Sequence, residues 1–259
     1  INPEICPKMA TECGADQTKG VIEVGPGFGV LTRELAARAN KVVAIELDKR
    51  LPAVLAETLR DFDNVKVVQA DVMEVDLHQL IQDEFSGLDV LVCANLPYYI
   101  TSPVIMKLLE EKLPVESLTV MVQKEAAVRI CAAPGTRACG AVSVAVQYYS
   151  QPQILFDVPR DCFFPAPNVD SAVIRLNIRK EPPVKLETEE KQFFKLVKAA
   201  FGQRRKTVLN SLNTGLGKSK EELSAALQQA GIAPTARAEQ LTMEQFGTLC
   251  NLLFPNKTK

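Results

Sequence analysis

The segment Asn95-Leu96-Pro97-Tyr98-Tyr99-Ile100 holds the residue types needed to work on an aromatic amine. Such an amine is a poor nucleophile because its lone pair is delocalised into the ring. Acceptors on its two N–H bonds, here the Asn95 side-chain carbonyl and the Leu96 main-chain carbonyl, would localise that pair and aim it. Pro97 stiffens the turn and brings no competing N–H, and Tyr98 offers a face on which an extruded base can stack. Chemistry of this kind asks for positioning more than for a strong base.

A second constellation is Glu23-Val24-Gly25-Pro26-Gly27-Phe28-Gly29, between a β-rich run and a helical one. Gly25, Gly27 and Gly29 let backbone approach a ligand closely, and the helix start behind them offers unpaired N–H groups. The dinucleotide fingerprint spaces its glycines G-x-G-x-x-G, whereas here the third comes one residue early and Pro26 separates the first two. Glu23 is placed to accept hydrogen bonds or to face a cation, which suits a sulfonium better than a pyrophosphate. Glu46, twenty-one residues after Gly25, can accept both hydroxyls of a ribose, and Asp71 the exocyclic amine of a cofactor adenine. Leu47 and Val72, which follow these acids, belong with Asn95 to the same expected cofactor set. Singly, each acid reads equally well as an ordinary loop carboxylate. At the carboxyl ends of successive parallel strands they define one crevice.

The elements that must position these groups alternate strand and helix, the signature of βαβ units on a parallel sheet. Strands are expected at 20–24, 41–46, 65–69, 88–94 and 118–123, and helices at 30–38, 48–59 and 102–113, with 141–149 a helix or buried segment. Two later β-rich runs, 153–158 and 172–178, have no helical pattern between them and would pair antiparallel at the sheet edge. After Glu181-Pro182-Pro183 helical periods take over, with an apolar stripe of Phe193, Phe194, Val197 and Phe201. Ser219 to Glu222 and Thr242 to Gln245 match the capping box that opens a helix. The expected division is a catalytic domain over 1–182 and a helical domain over 183–259.

The net charge of −1 hides a local excess: eight basic and no acidic residues lie between Lys191 and Lys220. Within it Arg204, Arg205 and Lys206 would lay cations along a nucleic-acid backbone, with salt-dependent affinity; a solvated helix face is the competing reading. Seven cysteines without a C-x-x-C pair suggest neither disulfide framework nor zinc site, and read as reduced, packed thiols. The single histidine, His78, reads as part of a surface helix and is given no role. No apolar run approaches the ~20 residues that span a bilayer, and no signal segment opens the chain. The chain opens on Ile1 and is read as part of a longer gene product.

Asn-Leu-Pro-Tyr after an E-x-G-x-G-x-G turn resembles the amino-adenine class of methyltransferases. Nearly the whole chain resembles the small-subunit ribosomal RNA adenine N6,N6-dimethyltransferase family. Further matches are Gln123-Lys124-Glu125, Tyr148-Tyr149, the run from Phe164 to Val173, Ala200 to Thr207, and Arg237 to Leu241. The resemblance implies a Rossmann-like class I methyltransferase domain, with a seven-stranded, mostly parallel sheet, and a small C-terminal α-helical domain. It implies S-adenosylmethionine as methyl donor, no metal, and two adjacent adenines near the 3′ end of small-subunit rRNA as substrate. On the same footing Phe164 flanks the target base that Tyr98 stacks on. The partner would be a pre-30S-type particle, and the protein a cytoplasmic monomer. The family's Gln-Asn-Phe-Leu segment, which helps cover the cofactor, would precede Ile1. Three other readings stay open: a large-subunit rRNA methyltransferase of the antibiotic-resistance type, a silent ribosome-assembly factor, and an NAD oxidoreductase. The run from Gln203 to Thr207 favours the small subunit, and the glycine spacing disfavours NAD.

Overall fold

A computed structural model describes residues 2–255 of the chain. Seven strands, β1 (Lys19–Val24), β2 (Lys41–Glu46), β3 (Val65–Gln69), β4 (Asp89–Asn95), β5 (Val115–Gln123), β6 (Ser150–Val158) and β7 (Ser171–Ile178), form one sheet in the order β3-β2-β1-β4-β5-β7-β6. The first five run parallel to one another, and β7 is antiparallel to both β5 and β6. This is the expected Rossmann-like, mostly parallel sheet. The two late runs do pair antiparallel at one edge of the sheet, with β6 outermost and β7 between it and β5.

Parallel strands covered on both faces must be apolar throughout, because neither set of side chains meets water. Val21, Ile22, Val42, Val43, Ala44 and Ile45 obey this, each at most 2% exposed. Helices α1 (Ile5–Cys13) and α2 (Val30–Ala36) close one face: Met9, Ala10, Cys13, Leu31 and Leu35 share a core with Val21, Val42, Leu91, Cys93 and Met121. Side chains alternate across a strand, so Gly20 faces the other way. A Cβ there would sit 2.1 Å from the Phe85 ring, and the glycine makes room for it.

The remaining helices are α3 (Leu51–Thr58), α4 (Leu77–Glu84), α5 (Thr101–Glu110), α6 (Lys124–Ile130), α7 (Ala141–Tyr149), α8 (Glu190–Ala200), α9 (Val208–Leu216), α10 (Lys220–Gln229) and α11 (Met243–Leu253). His78 lies on α4, where its Nε2 meets the Glu111 carbonyl oxygen at 2.8 Å, a structural tie. Thr242 and Gln245 exchange both bonds of the expected capping box, while at Ser219 only the bond from the Glu222 N–H forms.

The chain divides into two compact units, one from Ile1–Ala127 and Ser150–Ile178, the other from Val128–Tyr149 and Arg179–Lys259. A single boundary near 182 therefore does not describe the division. Residues Val128–Tyr149 belong with the C-terminal helices because Val144 and Tyr148 of α7 are buried in the same core as Phe193, Val197, Leu212 and Phe246. The Tyr148 and Phe193 rings stand 5.1 Å apart at its centre. Among the described residues no helix is long and apolar enough to cross a membrane, and all seven cysteines are free.

Candidate active site

The sheet order reverses between β1 and β4: the chain runs β1, β2, β3 to one side and returns to the other for β4. In open α/β sheets a crevice opens at the carboxyl ends of the strands flanking such a switch point. Glu23 pairs with Ala44 on one side and Cys93 on the other, so the glycine turn leaving β1, Glu46 ending β2 and Asn95 ending β4 all lie at that end.

The turn needs its glycines for two different reasons. Gly25 and Gly27 have φ of +71° and +56°, which side chains on L-residues resist, and a Cβ on either would meet nothing within 4 Å. Their backbone therefore borders open space. Gly29 has φ of +84°, and a Cβ there would crowd Leu55 and Thr58 of α3 at 3.1 Å, so this glycine serves helix packing. The turn is held from β2: the Gly25 N–H donates to the Ile45 carbonyl at 3.0 Å, and the Gly27 N–H to Glu46 Oε2 at 3.2 Å. Glu46 Oε1 accepts the Asp48 N–H at 2.8 Å, and the residue is only 7% exposed.

Glu23, expected to accept hydrogen bonds or to face a cation, comes one residue before the end of β1. It is 1% exposed, and among the described residues its Oε2 has no hydrogen-bond partner. Burial pushes its pKa up to about 8, the neighbouring Thr32 hydroxyl opposes the rise without hydrogen-bonding to it, and the Glu46 charge adds to it. Burial thus favours the protonated form of this carboxyl.

Asp71 lies just past β3, its Oδ1 accepting the Met73 N–H at 2.8 Å. Val72 is buried and Leu47 is 62% exposed, so of these two apolar neighbours only Leu47 presents its side chain to solvent. At the end of β4 the Leu96 side chain is buried while Asn95 is exposed. Among the described residues the Asn95 side chain has no hydrogen-bond partner in the protein, which leaves its carbonyl free to accept. The Pro97 carbonyl accepts the Ile100 N–H and the Thr101 hydroxyl, which closes the turn into α5.

Tyr98 is half-exposed, and its hydroxyl is 2.8 Å from Oγ of Ser171, a fully buried residue that opens β7. Sequence reasoning gave Ser171 no role beyond its place in a matched motif. Phe164 lies in the same β6–β7 connection and is 98% exposed, whereas Phe163 beside it packs against the core. Arg204, Arg205 and Lys206 lie in the other unit, in the connection from α8 to α9 rather than on a helix face. All three are exposed, and among the described residues none has a carboxylate within ion-pairing distance.

The profile of the ribosomal RNA adenine dimethylase family matches residues 1–254. The chain belongs to that family. Among individual relatives, the ribosomal RNA small subunit methyltransferase A of Geobacillus thermodenitrificans is 50% identical over 259 residues, covering 98% of this chain and 88% of the relative. Two solved structures share the fold of this family member. One is a dimethyladenosine transferase from Plasmodium falciparum, with TM-score 0.77, 25% identity, and coverage of 96% of this chain and 94% of the other. The second is the 23S rRNA methyltransferase ErmE, with TM-score 0.71, 28% identity and 98% of each chain covered.

Proposed function

We propose that this adenine dimethylase places two methyl groups on N6 of each of two adjacent adenines, in the loop near the 3′ end of small-subunit rRNA, during ribosome maturation. The observation that carries the reading is the Asn95 side chain, without a hydrogen-bond partner among the described residues, at the carboxyl end of β4 beside the open glycine turn of β1. Half of the sequence is shared with a small-subunit methyltransferase and 28% with an enzyme acting on 23S rRNA, which favours the small subunit.

The residues fit S-adenosylmethionine. The backbone at Gly25 and Gly27 borders open space, Glu46 offers a fixed carboxylate, and Glu23 holds an orphaned oxygen that a cation would satisfy. In this reading Glu46 accepts from the ribose, Asp71 from the adenine amine, and Leu47 and Val72 supply apolar lining. When bound, the cofactor supplies an electrophilic methyl group on sulfur. The chain's own part is positioning. The Asn95 side-chain carbonyl and the Leu96 carbonyl accept the two N6–H bonds and direct the lone pair. Tyr98 stacks on the extruded base and Phe164 flanks it. No metal is invoked. Arg204, Arg205 and Lys206 hold rRNA phosphates of a pre-30S-type particle. The protein acts as a monomer in the cytoplasm.

Transfer of labelled methyl from S-adenosylmethionine to unmodified ribosomal subunits, with mapping of the modified nucleotides, tests this. Two N6,N6-dimethyladenines near the 3′ end of the small-subunit RNA are expected. Label on the large subunit alone would overturn the substrate assignment, and no label on either would move the chain to an assembly role.

A further inference from the structure

We infer that Ser171 is a positioning residue for the base-stacking tyrosine. Its buried hydroxyl fixes Tyr98, and the strand end it occupies also fixes the loop that carries Phe164. The inference rests on the reading of Tyr98 and Phe164 as the two residues that meet the target base.

A tyrosine on an exposed turn has two side-chain torsions free to wander, and a ring that must meet a flipped base loses time in wrong rotamers. Tyr98 is spared this because its hydroxyl is 2.8 Å from Ser171 Oγ. The anchor is rigid: Ser171 is 0% exposed and pairs with Gln123 of β5 and Val158 of β6, so both flanking strands hold its backbone. Either oxygen can donate, and the bond satisfies a serine that would otherwise bury an unpaired hydroxyl.

The residue before it closes the Phe164 loop. Asp170 Oδ1 accepts the Arg160 N–H at 3.0 Å, across the base of the connection, and the Asp170 carbonyl accepts the Lys124 N–H at the end of β5 at 3.0 Å. Asp157, one residue before the end of β6, pairs with Lys124 Nζ at 2.6 Å. One dipeptide, Asp170-Ser171, therefore sets the Tyr98 ring and the root of the loop from which Phe164 projects. Phe164 itself is 98% exposed and gains no order from packing, so its direction depends on that root.

The test is a double-mutant cycle on the full chain: wild type, Ser171→Ala, Tyr98→Phe and the double variant, with Ser171→Thr as rescue. Methyl transfer to both unmodified subunits is measured over a range of S-adenosylmethionine. Each single variant should lower kcat about 3- to 10-fold with the KM for S-adenosylmethionine unchanged. The double variant should be no slower than the worse single, because both remove the same bond, and Ser171→Thr should recover most of the rate. Should Ser171→Ala fail to fold, Tyr98→Phe with Ser171→Thr still reads the bond from its other side. Full kcat in Tyr98→Phe, multiplicative losses in the double, or a parallel rise in cofactor KM would each overturn the inference. Wild-type transfer to the large subunit instead of the small would overturn the substrate reading alone, since the cycle can be read there equally well. Transfer to neither would overturn both.

Discussion

Glu46 Oε2 accepts the Gly27 N–H at 3.2 Å, while Oε1 accepts the Asp48 N–H at 2.8 Å, so one carboxylate ties the glycine turn of β1 to the end of β2. The residue expected to bind ribose thus also shapes the loop that borders the cofactor space. A fixed carboxylate spends little on ordering when it accepts from a ligand. Glu46→Ala should weaken S-adenosylmethionine binding at least about tenfold and cost about 1–2 kcal/mol of stability, from two N–H groups left without their acceptor. Calorimetric titration and denaturant unfolding check the two effects. Unchanged affinity would remove Glu46 from the cofactor site.

Asn95 separates chemistry from folding. Its side chain is exposed and makes no hydrogen bond within the protein among the described residues, so truncation leaves no buried group unpaired. Asn95→Ala should keep its Tm within about 2 °C of wild type while kcat on unmodified small subunits falls by about 100-fold or more. Near-full turnover in the folded variant would sink the proposed handling of the amine.

In the proposed reading Phe164 makes the same separation on the other side of the base. At 98% exposure its ring contributes nothing to the core, and Phe164→Ala should be neutral in unfolding. Stacking on a flipped base contributes about 1–3 kcal/mol, so methyl transfer should fall about tenfold. Equal rates for wild type and variant would leave Tyr98 alone on the base.

The sheet was legible because parallel strands write themselves as apolar runs: Val42 to Ile45 can be little else. The strand order was not legible, and the reversal between β1 and β4 comes from the folded chain alone. Less of the packing could be read. Helix α1 carries its buried residues at Ile5, Met9 and Cys13, a helical spacing, but Pro7 and Thr11 dilute its propensity and it went unpredicted. Val128–Tyr149 joined the C-terminal unit through long-range contacts of Val144 and Tyr148 that no local pattern announces. Glu23 was found by position, yet its protonation depends on three-dimensional burial. Ser171 stood in a matched motif, but only the folded chain brings it to a tyrosine 73 residues earlier.

Glu23 sets a pH dependence. Its folded pKa of about 8 lies above the ordinary carboxyl value of 4.5, so the native state binds more protons than the unfolded state between those limits. Its contribution is therefore fully favourable below about 4.5 and is lost as pH rises towards 8. Glu23→Gln, neutral at every pH, should be more stable than wild type at pH 8, and the gap should close on approach to pH 5. Unfolding of both proteins across that range reads the difference directly, and parallel curves would show that the buried carboxyl does not titrate there.

The basic turn gives a prediction that separates phosphate contact from catalysis. Arg204, Arg205 and Lys206 are exposed, lack ion-pair partners among the described residues and lie in a connection, so their loss should leave the fold intact. Each cation that neutralises a phosphate releases counterions, and the logarithm of affinity then falls with the logarithm of salt by about 0.7–0.9 per contact. Replacing all three with alanine should raise the KM for rRNA particles, leave kcat at saturation near wild type, and flatten the salt slope by about 2–3. A loss of affinity with the slope unchanged would mean that the turn acts through packing. A fall in kcat at saturating particle would mean that the turn helps bring the target adenines to Asn95, rather than only holding the particle.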